Sequence, residues 1–111
     1  TGRKDDMADV NMNYISDSTQ RTLKIQKILA GNEAKGLTPG QIAKATDITP
    51  SNVTRALHNL LHAGLVEQHP QIKGHWRLSV SWLTRVAMSI LHAVDSVQAA
   101  VYDIQRYKTQ S

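Results

Sequence analysis

Residues 38–64 read TPGQIAKATDITPSNVTRALHNLLHAG, and the punctuation of this stretch decides the fold. Thr38-Pro39-Gly40-Gln41 opens it with a hydroxyl able to accept a backbone N–H, a proline preorganised for the first helical position, and a glutamine where a capping box bonds back. The helix so started is brief. Ile42, Ala43 and Ala45 carry it only as far as Thr46-Asp47-Ile48, where Asp47 is a residue type that tolerates a tight left-handed turn. Thr49-Pro50 then repeats the start signal. A longer helix is expected from Pro50 to His62 or Ala63, with Val53, Ala56, Leu57, Leu60 and Leu61 inward and Gly64 as its stop.

Two helices joined by three or four residues, each opened by its own Thr-Pro, form a helix-turn-helix arrangement. Ala43 is small where the two must cross closely, and Ile48 and Val53 are placed to fill the gap between them. Upstream, Asp17 or Ser18 can cap a first helix that runs to about Ala30. Leu23, Ile25, Ile28 and Leu29 form its apolar stripe, Lys24 and Lys27 its wet side, and Gly31-Asn32 its end. Residues 32–37 read as a connector. Downstream of Gly64 the hydrophobic period shortens. Leu65–His69 and His75–Ser79 are strand candidates around the turn-rich Pro70-Gln71-Ile72-Lys73-Gly74, which makes a hairpin, or wing, with Trp76 and Leu78 inward and Arg77 on the opposite face. The predicted architecture is mainly α with this one small hairpin. Composition agrees, because the 41% of hydrophobic residues include no Phe, two Trp and three Tyr, a supply suited to packed helices.

Three segments are expected: a flexible arm over 1–17, a winged helix-turn-helix over 18–80, and a long amphipathic helix over 81–108. From Ser81 to about Tyr107 there is no Pro or Gly, enough for a helix of roughly 40 Å. Along it Leu83, Ala87, Ile90, Val94, Val97, Val101 and Ile104 alternate by four and three, a heptad seam, widened by Val86, Ala93 and Ala100 on one side and Leu91 on the other. Arg85, Asp95, Asp103 and Arg106 lie opposite. A stripe this broad calls for burial, and a second copy of the same helix, with the first helices joining in, is the expected cover. The intramolecular alternative folds the helix over its own domain.

The chain has 111 residues and a formal charge of +4, unevenly spread. Arg3 and Lys4 against Asp5, Asp6, Asp9 and Asp17 give the first seventeen residues a net −2, so the remainder carries +6. A basic body suits a polyanion such as DNA, and it is also an ordinary solubility device. Cysteine is absent, which excludes disulfides and thiol catalysis. No segment resembles a signal peptide or a membrane span, and the expected location is the cytoplasm, in association with the nucleoid. A chain opening Thr1-Gly2 rather than with Met is expected to be a piece of a longer protein or to carry added residues at its start.

The order of segments resembles a known family. STQRTLKIQKILA from Ser18, GLTPGQIAKATDITPSNVTRALHNLLHAGLVE from Gly36 and GHWRLS from Gly74 are together similar to the winged helix-turn-helix of IclR-type transcription regulators, over roughly Ser18 to Leu83. The resemblance implies a DNA-reading third helix and dimerisation. The family continues into a large ligand-sensing domain that these residues do not include, so no small-molecule ligand or cofactor is inferred.

A recognition helix enters the major groove with its N-terminal half, which makes Thr49, Ser51, Asn52, Thr54, Arg55 and His58 the DNA candidates. Arg55 can hold guanine O6 and N7 or clamp a phosphate, and Asn52 can read adenine by the same two-point geometry. Thr38, Gln41 and Lys44 flank the preceding helix, whose start can offer backbone N–H groups to a phosphate, although capping explains Thr38 and Gln41 equally well. Lys73, His75 and Arg77 lie on or beside the wing, where basic residues follow the backbone or minor groove; a solvated hairpin predicts the same residues. His58 and His62 have metal-ligand spacing, yet neither Cys nor a nearby carboxylate joins them, and no metal is assigned. No nucleophile, acid pair or phosphate cradle points to catalysis. The expected function is that of a dimeric, sequence-specific duplex-DNA binder of bacterial or phage origin, either a transcription regulator or a phage or plasmid accessory factor. The rival is a protein-docking winged module whose long helix is the working surface.

Overall fold

The computed structural model describes residues 9–110, with side chains described through Arg106. Half of the predicted arm, residues 1–8, therefore lies outside the described residues. After a 3-10 turn at Met12–Tyr14, the elements are α1 (Asp17–Leu29), α2 (Pro39–Thr46), α3 (Pro50–His62), β1 (Val66–Gln68), β2 (Trp76–Leu78) and α4 (Val80–Gln110). They divide into two compact units, one ending at Leu78 and the other starting at Ser79.

Local chemistry accounts for most boundaries. Ser16, rather than the expected Asp17 or Ser18, caps α1 by accepting the Thr19 N–H, and Asp17 places its carboxylate in the first turn where the helix dipole favours it. Thr38 and Gln41 complete a reciprocal capping box at α2, with bonds of 3.1 and 2.9 Å. Asp47 ends α2 in the left-handed region at φ 58°. Thr49 precedes α3 without a side-chain cap bond, so the proline alone supplies the local start signal there. Beyond α3, the Gly64 N–H bonds Leu61 O and the Leu65 N–H bonds Leu60 O, a Schellman closure made possible by Gly64 at φ 80°.

The core of the first unit joins Ile25 and Leu29 of α1, Ile42 of α2, Ile48 of the turn, Val53, Ala56, Leu57 and Leu60 of α3, and Val66, Trp76 and Leu78 of the hairpin. Each of the large aliphatic members contributes roughly 1.5–3 kcal/mol over exposure. Two expected core residues face outward instead. Leu23 is 43% exposed and Leu61 40%. At 100° per residue Leu23 lies well over a quarter-turn from the line through Ile25 and Leu29, and Leu61 sits about a quarter-turn from the centre of the Val53–Leu60 stripe.

The hairpin pairs Val66 with Leu78, Glu67 with Arg77 and Gln68 with Trp76. Its inner edge has a further partner in the segment taken as a mere connector: Leu37 and Trp76 exchange backbone bonds of 2.8 Å in both directions. Gly36 permits that approach. It has φ 68°, and a Cβ there would stand 2.5 Å from Trp76 O.

The second unit is the single helix α4. Ser79 Oγ accepts the Trp82 N–H and sets its start one residue before the expected Ser81. Ala87, Ile90, Val94, Val97, Val101 and Ile104 are exposed in the single chain, as are Met88 and Leu91; Leu83 is half-buried. Among the described residues no helix is long and apolar enough to cross a membrane.

Candidate nucleic-acid interface

With Val53, Ala56, Leu57 and Leu60 buried, the opposite side of α3 is set by helical geometry. Its outward stripe consists of Ser51, Thr54, Arg55, His58 and His62, all exposed. The Arg55 guanidinium makes no hydrogen bond or ion pair among the described residues. Thr54 donates its hydroxyl to Pro50 O at 3.1 Å, leaving the oxygen's lone pairs outward. Thr49 is exposed at the head of the helix. Asn52 differs from the rest. It is half-buried and lies on the flank of α3 that faces α1, where it lines a cleft with Ser18, Arg21, Thr22, Arg55 and Asn59.

On the other flank, the exposed His58 ring meets Trp76 edge-on, with centroids 5.9 Å apart and planes at 71°. This contact ties the outward stripe of α3 to the wing, since Trp76 is itself pinned on both sides by β1 and Leu37.

The wing candidates separate into two kinds. Lys73 is exposed near the tip of the loop and without a partner among the described residues. His75 is half-buried and its Nδ1 donates to Lys35 O at 2.9 Å. Arg77 is bound down more firmly: its Nη2 lies 2.7 Å and its Nε 2.8 Å from Glu67 Oε2, Nη1 reaches Glu33 O at 3.4 Å, and the side chain is 18% exposed. His75 and Arg77 thus brace the hairpin against residues 33–35. His69, buried, does the same for the loop. Its Nδ1 accepts the N–H groups of Gln71 and Ile72, each at 3.1 Å, which leaves Nε2 as the donor to Ala34 O at 2.8 Å.

Around α2, Thr38 and Gln41 are half-buried and exposed respectively, with both side chains occupied by their capping box, while Lys44 stands exposed and unpaired among the described residues. Lys24, expected to be merely wet, donates to Thr46 O at 2.9 Å and so satisfies a carbonyl at the C-terminal end of α2. Residues 18–78 hold eight Lys and Arg against three acids, and Glu67 and Asp47 lie away from the α3 stripe, the first in the Arg77 pair and the second in the turn before α3.

The residue that sequence reasoning passed over is Arg21. Ser18, Arg21 and Thr22 share one polar face of α1 by their spacing of three and four, but nothing in that spacing alone says that α3 forms the facing wall.

Three helices followed by a two-stranded wing, with the third helix turning a polar stripe outward, make the first unit a winged helix-turn-helix. Residues 18–70, just under half of the chain, match the IclR helix-turn-helix domain, so that this part is similar to an IclR-type winged helix-turn-helix. Among solved structures, the chain is similar to an IclR family transcriptional regulator from Brucella abortus, with 21% identity and a TM-score of 0.58 over 76% of this chain. The match spans 31% of that regulator's length. Also similar are MepR, a transcription regulator of the Staphylococcus aureus multidrug efflux pump MepA (22% identity, TM-score 0.46, 80% of this chain and 67% of that one), and the ORF112-Zalpha domain of Cyprinid Herpesvirus3, described in its binding mode to Z-DNA (31% identity, TM-score 0.48, 58% and 97%). No curated protein matches the chain's sequence.

Proposed function

We propose that this chain is a dimeric, sequence-specific binder of duplex DNA that acts as a transcription regulator. The observation that carries the reading is Arg55: a guanidinium near the middle of the exposed α3 stripe, with no partner among the described residues, on a helix of IclR type. A helix-turn-helix sets the N-terminal half of such a helix into the major groove, where an arginine holds guanine O6 and N7 together. Ser51, Thr54 and His58 read or approach bases beside it. Thr49 and Lys44 lie within reach of the flanking backbone, as do the backbone N–H groups at the Thr38–Gln41 start of α2. Lys73 carries the wing contact, with His75 and Arg77 holding the wing in place for it.

Two reading heads come from two copies of α4. The stripe through Leu83, Ala87, Ile90, Val94, Val97, Val101 and Ile104 is apolar over three heptads, and a helix face of this length is stable in water only when covered. A symmetric pair implies a pseudo-palindromic target whose half-sites are separated by whole helical turns.

Fluorescence anisotropy on a labelled mixed-sequence duplex tests the reading. Affinity is expected to fall steeply between 50 and 200 mM salt, as counterion release requires. Arg55→Ala is expected to lose about 10- to 100-fold in affinity for a duplex selected from a random pool, corresponding to roughly 1–3 kcal/mol of base contact. If the unaltered chain binds no duplex at low salt, the docking-module reading takes its place.

A further inference from the structure

The cleft between α1 and α3 carries a second inference, which rests on the DNA-binding reading above. Its two walls are helical faces: Ser18, Arg21 and Thr22 on α1, and Asn52, Arg55 and Asn59 on α3, enclosing about 180 Å³. The polar atoms along it are unequally committed. Thr22 Oγ1 donates to Ser18 O, Ser18 Oγ meets Ser16 Oγ, and Asn59 Nδ2 donates to Arg55 O. The guanidinium groups of Arg21 and Arg55 and the amide of Asn52 have no partner among the described residues.

No carboxylate lines the cleft. Arg21 also lines the neighbouring depression, with Asp17, Lys24 and Asp47, but makes an ion pair with neither carboxylate among the described residues. The two guanidinium groups line one cleft with no carboxylate in it, and an oxyanion seated there would offset their mutual repulsion and accept from the Asn52 amide. Arg55 belongs both to this cleft and to the outward stripe of α3, so an anion held here stands at the edge of the reading face. A sugar-phosphate strand borders the groove that α3 would enter, and Asn52, on the cleft flank of α3, lies to the side of the outward stripe.

We propose that the α1–α3 cleft is the seat of one backbone phosphate of the bound duplex, held by the Arg21 guanidinium with the Asn52 amide as second donor, while Arg55 at the cleft's margin adds its charge and keeps its paired N–H groups for the base. Arg21 is then a positioning contact that sets the register of α3 in the groove and carries no base information.

The test uses the full chain and its best duplex from a random pool, measured by anisotropy across 50–200 mM salt. Arg21→Ala is expected to weaken binding on the order of tenfold at the lowest salt. It should also flatten the log–log salt dependence by about 0.9, the share of a single phosphate. The order of preference among duplexes is expected to stay as it was. Arg21→Lys should keep the slope, and Lys27→Ala, an exposed charge not lining the cleft, should move neither quantity. A methylphosphonate scan of the duplex gives a readout independent of folding: one uncharged linkage beside the recognition site should weaken the unaltered protein and add nothing to the loss in Arg21→Ala.

A wild-type slope in a folded Arg21→Ala that binds duplex overturns the seat while leaving the DNA-binding reading standing, as does a scan in which every linkage weakens both proteins alike. Absence of duplex binding by the unaltered chain overturns both. Competition by millimolar inorganic phosphate beyond ionic-strength-matched chloride, lost in Arg21→Ala, assigns the cleft to free phosphate and overturns its assignment to the duplex.

Discussion

Single side chains in the winged unit do one of two jobs, and the distinction turns on what each already touches. Arg77 and Lys73 are both basic wing residues, yet Arg77 spends its guanidinium on Glu67 and the Glu33 carbonyl, whereas Lys73 is uncommitted. Arg77→Ala is therefore expected to cost stability, about 1–3 kcal/mol for opening a partly buried ion pair, in a urea titration. Lys73→Ala is expected to leave that titration unchanged and to lower the affinity for DNA together with its salt dependence. Gly36 is the most constrained backbone position. Gly36→Ala forces a Cβ against Trp76 O at an unfavourable φ, and a loss of roughly 2–4 kcal/mol is expected in the same titration. A loss below 1 kcal/mol would mean that the Leu37–Trp76 bridge yields easily.

Elements take their lengths from their ends. α2 is confined to eight residues by a capping box on one side and the left-handed Asp47 on the other, and this brevity brings α3 across it at a short turn. Thr38→Ala removes half of the box, and about 1 kcal/mol of stability is expected to go with it, read from the shift in the denaturant midpoint. α3 stops where Gly64 closes a Schellman motif, which directs the chain straight into β1. The hairpin itself is only three residues long on each strand, too short to stand alone, and gains its rigidity from Leu37, from the three side chains of His69, His75 and Arg77, and from Trp76 in the core.

For the molecule as a whole, the two units carry different surfaces. The winged unit is basic and turns polar side chains outward from α3; α4 is apolar over most of its described length. Under the dimer reading, placing charges in the seam should separate the copies. Val94→Asp combined with Val97→Asp is expected to convert the protein to a monomer in sedimentation velocity and to weaken binding to a two-half-site duplex by a factor of 10² or more, the avidity of a linked pair. An unchanged sedimentation coefficient in this double variant would show that the copies do not meet through this stripe.

The features legible without coordinates are those whose causes lie within a few residues. Thr38-Pro39 with Gln41, Asp47, Thr49-Pro50 and Gly64 each act on their own backbone, and so the short helix, the turn and the longer helix could be placed from the chain alone, along with the outward position of Ser51, Thr54, Arg55 and His58. Tertiary packing settled the rest. Asn52, expected from the sequence to read a base, is half-buried and forms a wall of the α1–α3 cleft opposite Arg21, because the crossing of two helices thirty residues apart selects which flank of each is enclosed. His75 and Arg77 are held within the fold because carbonyls at Lys35 and Glu33, forty residues or more upstream, lie within reach of their donors. Hydrophobic spacing states that a helix has an inner side, but only the neighbouring elements define how wide that side is and which polar groups at its margins find partners.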